Sequence, residues 1–204
     1  MPAAQDTAMA NFEAPRTRNR RCFLKRIAVL LSLCFLTIPS ISAGEENWTW
    51  RDSSSVKVDG KTSMKSKDGF GSQLLITNDK DYLKKWKQPT GPFHLHTVKS
   101  ALRDQPMFIL IVFANPGVDK EGLCDISADF TVIDPHGKLY GDIKDKNCWQ
   151  KMPPPPVGNI QLSKAAMRIV IRKEDASGKY LVNAIVKDHV KGTELKLSDY
   201  FDVA

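Results

Sequence analysis

Apolar and polar residues alternate along much of the chain from residue 128 to residue 203, with the period of a β-strand that buries one face. In the run ADFTVID, Phe130 and Val132 point to one side, while Asp129 and Thr131 point to the other. The alternation recurs in the runs MRIVIR, KYLVNAIVKD and TELKLSDYFDV. We expect their apolar members to share one core: Met167, Ile169, Ile171, Tyr180, Val182, Ala184, Val186, Leu195, Leu197, Phe201 and Val203.

Three earlier runs extend this pattern toward the N-terminus. MFILIVFA, residues 107–114, is apolar at every position, as is typical of a strand covered on both faces. FGSQLLIT, residues 70–77, and FHLHTV, residues 93–98, are shorter strand candidates. In FHLHTV the two histidines are two positions apart and therefore face the same way.

One short helix is predicted between these strands. Asn78 or Asp79 can cap it, and Tyr82, Leu83 and Trp86 follow at three- and four-residue spacing on a common face. With six or seven strand-sized runs separated by Gly, Pro and Asp turns, the pattern predicts a mainly β protein. We expect a two-layer antiparallel sandwich; periodicity alone leaves a small barrel open.

The N-terminal segment has the layout of an export signal. A basic stretch ending at Arg26 precedes twelve uncharged residues, 27–38, and small residues follow Pro39. A helix needs roughly 20 apolar residues to cross a membrane, so this stretch is short. We predict a secretory signal peptide over residues 1–43, cleaved after Ala43, which leaves no stable membrane span; an uncleaved anchor is the alternative. The run NRRCFLK resembles a twin-arginine motif, and the general secretory route stays open beside it.

Removing this segment changes the charge balance. Residues 1–43 hold six of the 30 Lys and Arg residues and two of the 23 Asp and Glu residues, so the remaining 161 residues carry 24 basic and 21 acidic side chains. The formal net charge therefore falls from +7 to +3. Because nucleic-acid binding needs a concentrated positive field, we predict no nucleic-acid partner.

Cysteine usage follows from the same prediction. Cys22 and Cys34 leave with the signal, and Cys124 and Cys148 remain. Two thiols in an oxidising compartment usually pair, so we expect a structural Cys124–Cys148 disulfide. A reactive thiol or metal pair is the alternative, although no Cys-x-x-Cys spacing supports it.

The remaining chain divides by composition at residue 70. Residues 44–69 are polar and predict a poorly ordered linker or an edge strand. Residues 70–204 form the predicted sandwich domain, which is long enough to bury a core of its own.

Two sites in this domain could carry chemistry or a partner. His94 and His96 could bind one copper or zinc ion, although no third ligand has a defined spacing. Pro153, Pro154, Pro155 and Pro156 predict a polyproline II rod beside Trp149, which could serve as a partner surface or as a stiff connector.

Acidic residues near the cysteines offer a third candidate. Asp119, Asp125, Asp142 and Asp145 are placed on loops there, where they could hold calcium, but lysines alternate with them as on a solvated surface.

The runs GLCDISADFTVIDPHGKLYGD, PPPPVGNIQLS and GKYLVNAIVKDHVKGTELKL resemble a family of uncharacterised, signal-bearing bacterial periplasmic proteins. The resemblance implies an immunoglobulin-like sandwich and a periplasmic or secreted location, and it implies no reaction. We find no nucleophile elbow and no phosphate loop, so we expect a protein that is not an enzyme and has no cofactor. The predicted function is an exported binding or accessory protein that meets a protein or cell-envelope component; the alternative is a metal-binding protein using His94 and His96.

Overall fold

The computed structural model describes residues 11–13, 49–51, 62–87 and 95–204. The described elements are β1 Asn11–Glu13, β2 Thr49–Arg51, β3 Met64–Lys67, β4 Phe70–Thr77, α1 Tyr82–Lys87, β5 Ser100–Ala101, β6 Pro106–Ala114, β7 Cys124–Ile133, β8 Leu139–Met152, β9 Ile160–Val170, β10 Gly178–Asp188 and β11 Thr193–Val203. Apart from residues 11–13, the predicted signal peptide lies outside the described residues, as do its cleavage point and most of the predicted linker.

The strands form two layers that face each other. A five-stranded sheet has the order β5-β11-β10-β7-β8, and a four-stranded sheet has the order β3-β4-β6-β9. Neighbours are antiparallel, except that β5 runs parallel to β11, while β1 and β2 form a separate antiparallel pair. Over the described residues the predicted fold class is confirmed: the protein is mainly β, a two-layer sandwich with one short helix. Two separate sheets rule out the barrel.

The main core lies between the two sheets and is built from the predicted alternating positions. Phe130 and Val132 of β7 meet Met167 and Ile169 of β9 there, all buried. Tyr180 stacks on Phe201 with ring centroids 5.2 Å apart. Burying side chains of this size stabilises the fold by about 1.5–3 kcal/mol each.

A second apolar cluster covers the opposite face of the four-stranded sheet. Leu110, Val112 and Ala114 of β6 point into it, whereas Ile109 and Ile111 point into the main core. Helix α1 covers part of this cluster, and Tyr82 packs on Phe108 at 5.2 Å. Strand β6 is therefore covered on both faces, as its unbroken apolar run predicts.

The predicted aspartate, Asp79, lies just before the helix and caps its N-terminal end. Asp79 Oδ1 accepts the backbone N–H of Asp81, and Asp79 Oδ2 pairs with Lys85 Nζ at 2.6 Å. Tyr82 and Trp86 pack on the second cluster, but Leu83 is 43% exposed. The predicted common face is thus confirmed for two of its three residues.

Two local predictions differ from the structure. Residues 95–98 form no strand; Leu95 is instead buried in the second cluster. Residues 139–152 form strand β8, although we expected a loop there. The buried and exposed positions of this strand do not alternate regularly, so its sequence shows no strand period.

Met64–Lys67 pairs with β4, so this part of the polar segment is an edge strand. Among the described residues, no helix combines the length and the apolar character that crossing a membrane requires.

Candidate binding face

The outward face of the five-stranded sheet carries an apolar row that crosses four strands. Register places Leu139 opposite Ile133, Ile133 opposite Leu181, and Leu181 opposite Tyr200. With strands about 4.8 Å apart, the row extends for roughly 14 Å. Leu139 is 62% exposed, Leu181 42% and Tyr200 38%. These four residues are called the apolar row below.

Lysines surround the end of the apolar row at Tyr200. The Nζ of Lys179 lies 4.2 Å from the Tyr200 ring centroid, and that of Lys99 lies 4.9 Å from it. Lys99 is also paired with Asp199. Cations over a ring face restrict the ring and make this end of the row positive.

A shallow pocket adjoins the apolar row along the strands. Its volume is about 370 Å³, and it is lined by Thr62, Lys65, Asn183, Ala184, Ile185, Lys196, Leu197 and Ser198. The Ser198 N–H donates to the Thr62 carbonyl at 2.9 Å, which holds the segment before β3 against β11. We call this feature the lysine pocket.

The other end of the same face contains a serine, a histidine and a carboxylate in contact. Ser127 Oγ lies 2.8 Å from Asp145 Oδ1 and 2.8 Å from His189 Nε2. The carboxylate can only accept, so the serine proton points at Asp145 and His189 must donate to the serine oxygen. A nucleophile needs the reverse arrangement, with the histidine accepting the serine proton. Ser127 is also fully buried.

Neighbouring charges lock this network in place. Asp129 Oδ1 accepts the Asp145 N–H at 2.7 Å, and Asp129 Oδ2 pairs with Lys187 Nζ at 2.9 Å. Partial burial pulls the pKa of Asp129 upward, but these two partners outweigh it and hold the pKa below its usual value. The hydrogen-bonded and ion-paired network around Ser127 is therefore held in one arrangement and is not set up to transfer a proton.

The acidic residues that we placed on loops are instead spread over strands and turns. Asp142 and Asp145 lie on β8 and Asp125 on β7, while Asp119 accepts the N–H groups of Glu121 and Leu123 in a turn. Asp142 pairs with Lys144 at 3.0 Å. Within the described ranges, no group of three His, Cys, Asp or Glu side chains is placed to hold a metal ion.

Of the two histidines predicted to bind a metal ion, the structure describes only one. His94 lies outside the described residues, and His96 is partly buried, with its carbonyl accepting the Thr77 hydroxyl at 2.6 Å. The metal prediction therefore stays a prediction.

The predicted disulfide does not form in the structure, where Cys124 and Cys148 are free buried thiols. Register places Cys124 opposite Met152, four residues beyond Cys148 on β8, so the two cysteines are offset on the order of 10 Å along the strands. A disulfide needs Cα atoms about 4.4–6.8 Å apart. Burial raises the pKa of Cys124 to about 11 and that of Cys148 to about 12, which keeps both protonated and unreactive.

The proline run is anchored by the tryptophan beside it. Trp149 Nε1 donates to the Pro153 carbonyl at 2.9 Å, and the ring packs edge-on against Phe113 at 6.0 Å. Lys164 Nζ covers the ring at 5.5 Å. These contacts fix the position of the Trp149 ring, and a partner role for Trp149 and Pro153–Pro156 stays a prediction.

Strand β8 forms one edge of the five-stranded sheet, but it is poorly suited to pairing with another strand. Its pairing with β7 shifts register four times, and Asp145 and Lys151 have positive φ angles of 47° and 51°. Bulges and lysines are the usual protection of a sheet edge. The sheet face, rather than this edge, is the better candidate for recognition.

Comparisons with known proteins add little to this picture. No family model matches the chain, and no curated protein matches it. A family 123 glycoside hydrolase from Clostridium perfringens, studied for glycolipid glycan hydrolysis, is 12% identical with a TM-score of 0.37; the match covers 65% of this chain and 27% of that one. A Niemann-Pick type C2 protein from the Japanese carpenter ant is 9% identical with a TM-score of 0.38, covering 65% and 89%. At these TM-scores neither likeness bears on function.

Proposed function

We propose that this chain is an exported, non-enzymatic binding protein of the cell envelope, whose protein partner docks on the apolar row. One observation carries the proposal: Leu139, Leu181 and Tyr200 are exposed and joined through Ile133 across four strands. On the solvent face of an antiparallel sheet, polar residues are the rule. Contiguous exposed apolar residues mark interaction sites, and a tyrosine at such a site often contributes much of the binding energy.

The rest of the face supports binding over catalysis. The Ser127–His189 contact has the proton in the wrong place for a nucleophile and is closed to substrate by burial. The proposed export rests on the sequence of residues 1–43. Buried thiols of raised pKa are compatible with an oxidising compartment even without a bond.

Site-specific photo-crosslinking in the organism that makes the chain tests this proposal. A benzoyl-phenylalanine is placed at Leu181 or, as a matched control, at Leu83. The two side chains are 42% and 43% exposed, and Leu83 lies on helix α1, away from the five-stranded sheet that carries Leu181. We expect one discrete protein adduct from position 181 and from position 139, none from position 83, and loss of the position-181 adduct on Leu139→Asp.

Three outcomes would overturn the proposal. The first is an equal adduct from position 83, the second is no adduct from either row position, and the third is an adduct with the mass of two copies of this chain. The alternative, a copper or zinc protein, is tested by metal analysis of untagged protein: stoichiometric metal lost on His96→Ala would favour it.

A further inference from the structure

We propose that the lysine pocket binds the carboxylate of an acidic residue in the partner, next to the partner's apolar contact with the row. This inference rests on the proposed function and names the chemistry of the partner. Charge complementarity carries it. Two lysines, Lys65 and Lys196, line one pocket together with the polar residues Thr62, Asn183 and Ser198. None of the described residues that line the pocket is acidic.

Lys196 differs from two other lysines on this face. Lys187 pairs with Asp129 at 2.9 Å and Lys144 with Asp142 at 3.0 Å. Within the described part of the chain, Lys196 forms no ion pair, and its neighbour across the strands is Ile185. An ammonium group beside an apolar side chain and several hydrogen-bond donors is suited to a carboxylate brought in by another molecule.

The spacing between the pocket and the row fits an extended peptide. Asn183 lies two residues from Leu181 on β10, and Ser198 lies two residues from Tyr200 on β11. Each pair is therefore separated by about 6.7 Å, which is also the distance between side chains i and i+2 of an extended segment. An extended partner segment with an apolar residue two positions from an acidic residue can therefore contact the apolar row and the lysine pocket at the same time.

The lysine pocket is large enough for one side chain of the partner and the backbone on either side of it. Its volume of about 370 Å³ lies at the small end of ligand sites. Asn183 and Ser198 belong to the row of residues directly beside the apolar row, so the two features form one continuous surface.

Two peptides test the inference on the full-length protein. Both are acetylated at the N-terminus and amidated at the C-terminus, one with the sequence Leu-Ser-Glu-Ser-Leu and the other with Leu-Ser-Gln-Ser-Leu. In nitrogen–proton correlation spectra, we expect the glutamate peptide to shift the amides of Asn183, Lys196 and Ser198 saturably. We expect it to bind about threefold more tightly than the glutamine peptide, as for one exposed ion pair.

Variants on the same face separate this inference from the proposed function. Lys196→Gln should abolish the difference between the peptides, while Lys179→Gln, outside the pocket, should keep it. Leu181→Ser, which adds no charge beside the pocket, should weaken both peptides alike. If it leaves both affinities unchanged while the glutamate preference persists, the proposed docking row fails and the pocket survives.

Three results would overturn the carboxylate site itself. They are equal binding of both peptides to the unmodified protein, a glutamate preference that survives Lys196→Gln, and inorganic phosphate shifting the same amides at lower concentration than the glutamate peptide. Competition by sodium acetate at constant ionic strength would support it.

Discussion

The hydroxyl of Tyr140 lies 2.7 Å from Oδ2 of Asp175, which also accepts the Arg172 N–H at 2.6 Å. The Tyr140 ring packs edge-on against Tyr180 at 5.2 Å. The hydroxyl and the backbone of the β9–β10 turn together hold the pKa of Asp175 below its usual value. A strand of the five-stranded sheet is thus tied to the turn that leaves the four-stranded sheet.

Tyr140→Phe removes this tie while keeping the ring. We expect the free energy of unfolding to fall by about 1–3 kcal/mol, because a hydrogen bond to a carboxylate is lost. Denaturant unfolding measures it, with Tyr200→Phe as the control. That ring is exposed, so its change should stay within about 0.5 kcal/mol. Equal losses in the two variants would contradict the assignment.

The two thiols should be hidden in the native protein. In a chain lacking residues 1–43, Cys124 and Cys148 are the only cysteines. We expect a thiol reagent to find none in native protein and two in denaturant without reductant, because both side chains are buried and unbonded. A mass two hydrogens short of the reduced value would restore the disulfide.

Stability should decline at alkaline pH because the folded state prefers protonated thiols. Burial raises the pKa of Cys148 from 9.0 to about 12, so the stability that this thiol contributes is complete below pH 9 and is lost as pH rises above it. We expect up to about 1.4 kcal/mol per pH unit from this group. Unfolding at pH 8 and pH 11 measures it, and Cys148→Ala should show a shallower decline than the unmodified protein; parallel declines would reject the cause.

Helix α1 should stabilise the fold through one face only. Tyr82→Ala removes the ring that packs on Phe108 and should lower the free energy of unfolding by about 1–3 kcal/mol. Leu83→Ala, one residue on and 43% exposed, should cost less than about 0.7 kcal/mol. Thermal unfolding compares them, and a larger loss for Leu83→Ala would mean that the helix packs differently.

Much of the fold follows from period alone. The inward positions of β10, Tyr180, Val182, Ala184 and Val186, are all buried, because alternation in a sequence reports burial directly. Strand β8 gives no such signal. Its four register shifts relative to β7 interrupt the alternation of inward and outward residues, so its apolar residues do not recur at every second position.

The candidate face is harder to predict, because a row across strands depends on register. The outward positions Leu181 and Ile185 are visible in the run KYLVNAIVKD, and their apolar character is the signal that sequence reasoning could have used. That Leu181 meets Ile133 on one side and Tyr200 on the other depends on pairings between distant parts of the chain. The expected disulfide failed for the same reason, since counting cysteines says nothing about their offset along two strands.

The irregular edge of β8 has a consequence at high concentration. Flat edge strands of different molecules can pair with one another and extend into fibrils, because their backbone N–H and C=O groups are unpaired. Here Asp145 and Lys151 turn the backbone away at two points, so an incoming copy would find an interrupted template. We therefore expect that copies of this protein do not add to one another as strands along β8, and that contacts between molecules on this sheet are made through its outward face.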